Sequence, residues 1–124
     1  MYLGSILENK AKEKRVAITP EMAKKYISLG VKLSLQRGFG THLGFNDKDY
    51  SDLGVEILDN EKDVIKKVDV VVQLGLPDDE KLSLLKENQT LIGSLNSNSN
   101  KEKLENLKMK KINCFSLELL PRIT

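Results

Sequence analysis

Two arginines stand where a strand-and-helix chain would place its ligand contacts. Arg15 lies in Glu13-Lys14-Arg15-Val16-Ala17-Ile18-Thr19-Pro20, just ahead of a helix start, where a guanidinium and free helix amides together can hold a carboxylate or phosphate. A solvated arginine paired with Glu13 would satisfy the same pattern. Arg122 lies in Leu119-Leu120-Pro121-Arg122-Ile123-Thr124, directly behind an apolar segment, and is a candidate for half of a site. Gly38-Phe39-Gly40-Thr41-His42-Leu43-Gly44 is glycine-rich, but it has neither the G-x-G-x-x-G spacing of a dinucleotide loop nor the Walker lysine. A tightly turned loop accounts for it equally well. His42 is the only histidine and Cys114 the only cysteine, so no His/Cys set is spaced for a metal, and a Ser-His-Asp triad would have to be built around His42. Asp78-Asp79-Glu80 follows Pro77 and opens a helix, where the dipole favours acidic side chains without any catalytic role.

These residues need a scaffold, and the hydrophobic pattern supplies one. Short apolar runs alternate with polar amphipathic segments, each change marked by Gly, Pro, Asn or Asp, which is the rhythm of βαβ units. The spacing predicts strands at Tyr2 to Leu7, Val31 to Gln36, Val55 to Leu58, Val68 to Leu74, Thr90 to Leu95 and Ile112 to Leu119. It predicts helices at Pro20 to Leu29, Asp47 to Leu53, Glu61 to Val68, Asp78 to Leu85 and Lys101 to Lys108. Thr19 as N-cap, Pro20 at the first helical position and Gly30 as the stop punctuate the first helix. Val68-Asp69-Val70-Val71-Val72-Gln73-Leu74 is apolar enough for a central strand covered on both faces. The fold class that follows is α/β: an open, mostly parallel sheet with helices on both faces, a flavodoxin- or Rossmann-like three-layer sandwich. The loops at the carboxyl ends of its strands form the functional edge.

At 124 residues the chain fits one domain, spanning 1–124. Its 40% hydrophobic and 31% charged residues suit a soluble globular protein, and a net charge of +2 from interspersed Lys and Glu/Asp offers no nucleic-acid surface. The single cysteine, set among Ile112, Phe115 and Leu117, reads as a buried thiol in a reducing compartment. No apolar run approaches the roughly 20 residues of a membrane span. The apolar segment before Arg122 reads as a buried strand, and a stop one loop beyond it leads to the expectation that further sequence normally follows.

The motif Glu13 to Pro20, the Leu29-Gly30 pair before a strand, the Asp47 to Gly54 segment, Asp63-Val64, Asp69-Val70-Val71 and Pro77 together resemble the N-terminal domain shared by alanine dehydrogenases and the alpha subunit of NAD(P) transhydrogenase. The closing Glu118-Leu119-Leu120-Pro121-Arg122-Ile123-Thr124 resembles the transhydrogenase branch in particular. The resemblance implies one wall of the cleft in a proton-translocating enzyme that passes hydride between NAD(H) and NADP(H). NAD(H) would be held mainly by a separate Rossmann domain, with none bound tightly to this chain, which would be inactive alone. It implies a catalytic Arg122 near the nicotinamide, with Arg15 and Gln73 facing the cleft. Gln73 stands where the family commonly has a lysine. The implied partners are that Rossmann domain, the membrane and NADP-binding components, and a possible second copy. The implied location is the cytoplasmic face of a membrane, reached through those partners. Two other readings stay open: a fragment of an alanine dehydrogenase-like amino-acid dehydrogenase, and a stand-alone, non-catalytic flavodoxin-like binding module.

Overall fold

The structure, a computed structural model, describes residues 1–9, 13–95 and 99–117. Six strands form one sheet, β1 (Tyr2–Ser5), β2 (Lys32–Gln36), β3 (Glu56–Leu58), β4 (Val70–Val72), β5 (Thr90–Gly93) and β6 (Asn113–Ser116). Their order is β3-β2-β1-β4-β5-β6 and every pairing is parallel. The connecting helices are α1 (Pro20–Ser28), α2 (Asp47–Ser51), α3 (Glu61–Lys67), α4 (Asp79–Leu82) and α5 (Lys101–Met109). The predicted fold class is therefore the observed one. All eleven predicted elements occur, most of them shorter at one or both ends.

Local chemistry explains where the helices start. Thr19 Oγ1 accepts from Met22 N at 3.3 Å with Pro20 behind it, Asn60 Oδ1 accepts from Asp63 N at 3.0 Å, and Asp78 Oδ1 accepts from Lys81 N at 3.1 Å. Each side-chain oxygen satisfies an amide that has no partner within its helix. Asp78 is thus a cap, in line with the structural reading of the acidic cluster.

Two apolar layers sandwich the sheet. On one face Val64, Ile65 and Val68 from α3 and its exit pack with Leu82 of α4, Leu107 of α5 and the strand residues Val71 and Leu91. On the other, Ala23 of α1 and Tyr50 of α2 cover Leu33 and Leu35. Gly4 is small because α3 lies directly on β1: a Cβ there would come within 2.7 Å of Val68 Cγ1 and 2.9 Å of Val64 Cγ1. The amino edge of the sheet is tied by side chains. Tyr2 Oη bonds Ser34 Oγ at 2.7 Å and donates to Glu56 Oε2 at 3.0 Å, and Glu56 pairs with Lys67.

Two expectations need correction. Of β4 only Val71 is buried; Val70 and Val72 are half-buried, because the α1–α2 layer lies over β2 and β3 and thins out beyond β1. The segment predicted as a buried strand from Ile112 is β6 at the sheet edge, with Phe115 57% exposed and Cys114 only half-buried. The Ile-Asn-Cys-Phe-Ser pattern is the alternation of a strand with one covered face, which its apolar content masks.

Candidate functional site

The chain runs from β1 outward to β2 and β3, then crosses back to place β4 on the other side of β1. The exits of β1 and β4 therefore diverge into loops that turn opposite ways, which opens a crevice at the carboxyl edge. The segment leaving β1 must satisfy its backbone without a neighbouring strand, and two buried glutamines do this. Gln36 Oε1, at the end of β2, accepts from Leu7 N at 2.9 Å. Gln73, just past β4 and 2% exposed, treats Ile6 as an adjacent strand would. Its Oε1 accepts from Ile6 N at 2.7 Å and from Ser5 Oγ at 2.9 Å, while its Nε2 donates to Ile6 O at 3.1 Å. The amide side chain thus extends the ladder one step past the last main-chain pairing.

The second Nε2 hydrogen of Gln73 goes to Glu8 Oε2 at 2.9 Å. Glu8 also accepts from Leu74 N at 2.7 Å and from Gly75 N at 3.3 Å, so one carboxylate ties the β1 exit to the β4 exit. Burial pushes its pKa above the ordinary 4.5, against the opposing pull of the Leu74 and Gly75 amides; Glu13 adds to the rise and Lys81 subtracts from it. Glu8 opens into a crevice of about 330 Å³ whose walls include Leu7, Leu76, Pro77, Leu95, Lys81 and Lys103. Lys81 Nζ donates to Leu7 O at 3.4 Å. Gly93, at the end of β5, lets the β4 exit pack directly against it: a Cβ there would sit 2.2 Å from Gln73 O.

The residues singled out from sequence fall in different places. Gln73 does line the crevice, but its amide is fully engaged with Ser5, Ile6 and Glu8, so it acts as a scaffold for the wall. Arg15 is not among the lining residues. Its Nε and Nη2 grip Glu13 at 2.9 and 3.0 Å with the guanidinium side chain 79% exposed, and that cation holds the Glu13 carboxyl down to about 2. Glu13 itself reaches the crevice. His42, in a 3₁₀ turn (Thr41–Leu43) after β2, places Nε2 at 2.6 Å from Lys14 O, so the glycine-rich loop is a turn docked on the segment that carries Arg15. Arg122 lies outside the described residues. Among the described residues no group of three His, Cys, Asp or Glu side chains is arranged to hold a metal. Glu8 was the residue that sequence reasoning passed over; its signal was an acidic side chain immediately behind the first apolar run.

The comparisons with known proteins agree with one another. Residues 4–124 match the family described as alanine dehydrogenase/PNT, N-terminal domain. The NAD(P) transhydrogenase subunit alpha of Cereibacter sphaeroides is 32% identical over 124 residues, all of this chain and 24% of that protein. An alanine dehydrogenase of Methanococcus maripaludis is 32% identical over 91 residues, 73% of this chain and 24% of that one. The crystal structure of a transhydrogenase from Sinorhizobium meliloti superposes with a TM-score of 0.91 at 26% identity, covering all of this chain and 37% of that one. The chain spans about a quarter of the length of each of these curated relatives. By family match, sequence and fold alike, it belongs to the alanine dehydrogenase/PNT N-terminal domain family.

Proposed function

We propose that this chain forms one wall of the cofactor cleft in the NAD(H)-binding alpha subunit of a proton-translocating NAD(P) transhydrogenase. The observation that carries the reading is the crevice at the sheet's crossover point, where the exits of β1, β4 and β5 meet around Glu8. Its size and walls fit one end of a dinucleotide. Leu7, Leu76, Pro77 and Leu95 offer apolar surface to a ring, and no strand runs into the G-x-G-x-x-G turn that would seat a pyrophosphate. The nicotinamide, when bound, supplies the hydride chemistry. This chain's residues would orient it and exclude water, a matter of positioning. The fixed Glu8–Gln73 bridge keeps the wall from spreading, and Arg122 is proposed to reach the nicotinamide.

In this reading the adenine and pyrophosphate are held by a Rossmann domain of the same subunit. Membrane and NADP-binding components, and a second copy of the subunit, complete the assembly at the cytoplasmic face. Among the described residues no helix is long and apolar enough to cross a membrane. Titrating NADH into the 124-residue chain while following its fluorescence tests the division of labour. The expected result is no binding in the micromolar range, and saturation there would refute it.

The Methanococcus relative supports a second reading, an amino-acid dehydrogenase domain. It requires Arg15 to release Glu13 and hold a keto-acid carboxylate. It predicts pyruvate-dependent NADH oxidation by the full-length protein that depends on Arg15, and an unchanged rate in Arg15→Ala would exclude it.

A further inference from the structure

We infer that His42 is a positioning residue: by holding Lys14 O it keeps the Glu13–Arg15 pair set at the rim of the crevice and so, on the cofactor-wall reading above, decides where the Arg15 guanidinium points. The segment that carries Arg15 is fixed unevenly. Val16, Ala17 and Ile18 are buried in the same apolar layer as Ala23 and Leu35, whereas Lys14 and Arg15 are exposed and belong to no strand. Among the described residues two side-chain hydrogen bonds tie Lys14 to Ile18 to the rest of the fold. Tyr50 Oη donates to Ile18 O at 2.8 Å, in the half that burial already holds. His42 Nε2 lies 2.6 Å from Lys14 O, in the exposed half, and because a carbonyl only accepts, the imidazole is the donor.

That bond reaches Glu13 through a single peptide plane. Lys14 O and Arg15 N are the two ends of the same planar group, so fixing the carbonyl also aims the N–H. The N–H points at Glu13 Oε1, 3.0 Å away, and joins the Arg15 Nε and Nη2 contacts of 2.9 and 3.0 Å to the same carboxylate. A peptide released at its carbonyl is free to turn, which takes one of the three donors off Glu13, a residue of the crevice wall. The glycine-rich loop is built to present the imidazole. Gly38 N donates to Asp47 Oδ1 at 2.9 Å, Phe39 packs edge-on against Tyr50 with ring centroids 6.0 Å apart, and a Cβ on Gly40 would come within 2.8 Å of Phe45 Cβ. The stretch from Gly38 to Tyr50 thus supplies both ties, one through the core and one at the surface.

The test reads Arg15 in the isotopically labelled, ligand-free 124-residue chain, through the NMR signal and solvent exchange of its Nε–H at pH 6.5, with Glu13→Ala as the reference for a released guanidinium. His42→Ala is expected to speed that exchange about threefold and to move the signal towards the Glu13→Ala position. His42→Gln, whose amide can donate to the same carbonyl, should restore the parent rate, and His42→Asn, whose amide falls short of it, should behave as His42→Ala does. Lys10, Lys12 and Lys14 are present in every variant, so differences among them report the hydrogen bond and not the charge of the segment. An Arg15 signal unmoved by His42→Ala and His42→Asn, or moved equally by His42→Gln, overturns the inference. No ligand enters the measurement, so that result leaves the cofactor-wall reading standing, and saturation of the chain by NADH, which refutes the division of labour in that reading, leaves the role of His42 standing.

Discussion

Gln73→Leu is the substitution whose cost can be worked out most directly from the structure. It keeps the side-chain length but removes the acceptor of Ile6 N and the donor to Ile6 O, both on a residue with no exposed surface. Each backbone group left buried without a partner costs about 1–3 kcal/mol. The new leucine recovers about 1–2 kcal/mol of apolar burial, so the net loss should be about 3 kcal/mol. Ser5 Oγ retains its bond to Val72 O at 2.5 Å and adds little to the loss. With a urea slope of about 2 kcal/mol per molar for a domain of this size, the unfolding midpoint should fall by about 1.5 M. The companion Gln73→Glu keeps an acceptor for Ile6 N but sets a second carboxylate against Glu8, where Nε2 now lies 2.9 Å from Oε2. Two carboxylates that close share a proton, so this variant should be severely unstable at pH 7 and partly restored at pH 5. A Gln73→Leu midpoint within about 0.5 M of the parent chain, equivalent to roughly 1 kcal/mol, or a Gln73→Glu variant indifferent to pH, would refute the ladder-extension argument.

Two further outcomes follow from the same edge. Burial raises the Glu8 pKa, so the folded state takes up this proton more readily than the unfolded chain. The resulting stability is fully present below the unfolded value of 4.5 and is lost as pH rises through the folded value. Chemical denaturation of the parent chain and Glu8→Gln should therefore give a difference that moves in the parent's favour as pH falls from 7 towards 4.5, and a flat difference would show that desolvation does not dominate. Gly93→Ala places a Cβ 2.2 Å from Gln73 O, and backbone there cannot yield cheaply. The expected loss is about 3 kcal/mol or more, seen as a melting temperature lower by about 10 °C; a melt within about 3 °C would refute the close approach.

Much of the fold was legible because the elements announce themselves locally. Thr19-Pro20 and Gly30 bracket α1, and the Val70–Val72 run sits within a string of apolar residues that no helix period explains. The strands end before their apolar runs do for a physical reason. Leu7, Leu74 and Leu95 are apolar, yet they have left the ladder to line or back the crevice. Burial of β6 was misjudged because composition reports apolar content without saying whether a neighbouring strand or helix covers it. In the site, Arg15 was found as a residue but not as a contact: its pairing with Glu13 is local and readable, whereas the direction of the pair relative to the crevice depends on the packing of the whole loop. Glu8 and Gln36 are not legible because their partners are distant in sequence, and Gln73 is legible as a cleft residue but not as the brace of Ile6. Glu8 meets Gln73 across 65 residues, and a polar residue beside an apolar run gives no sign of what lies opposite.

The placement of β1 also dictates an order of assembly. Tyr2 pairs with Lys32, but its other flank waits for Val70, which aligns with Leu3. A chain delivered from the ribosome at about 5–20 residues per second can close the β1-β2-β3 half of the sheet while β4 has yet to emerge. During that interval β1 is a temporary outer strand with Gly4, Ser5 and Ile6 uncovered, open to pairing with another nascent chain. Arrival of β4 ends the exposure, and Gln73 follows immediately to fasten the seam, so the residue that braces the mature crevice also closes the period in which the half-made sheet is vulnerable to aggregation.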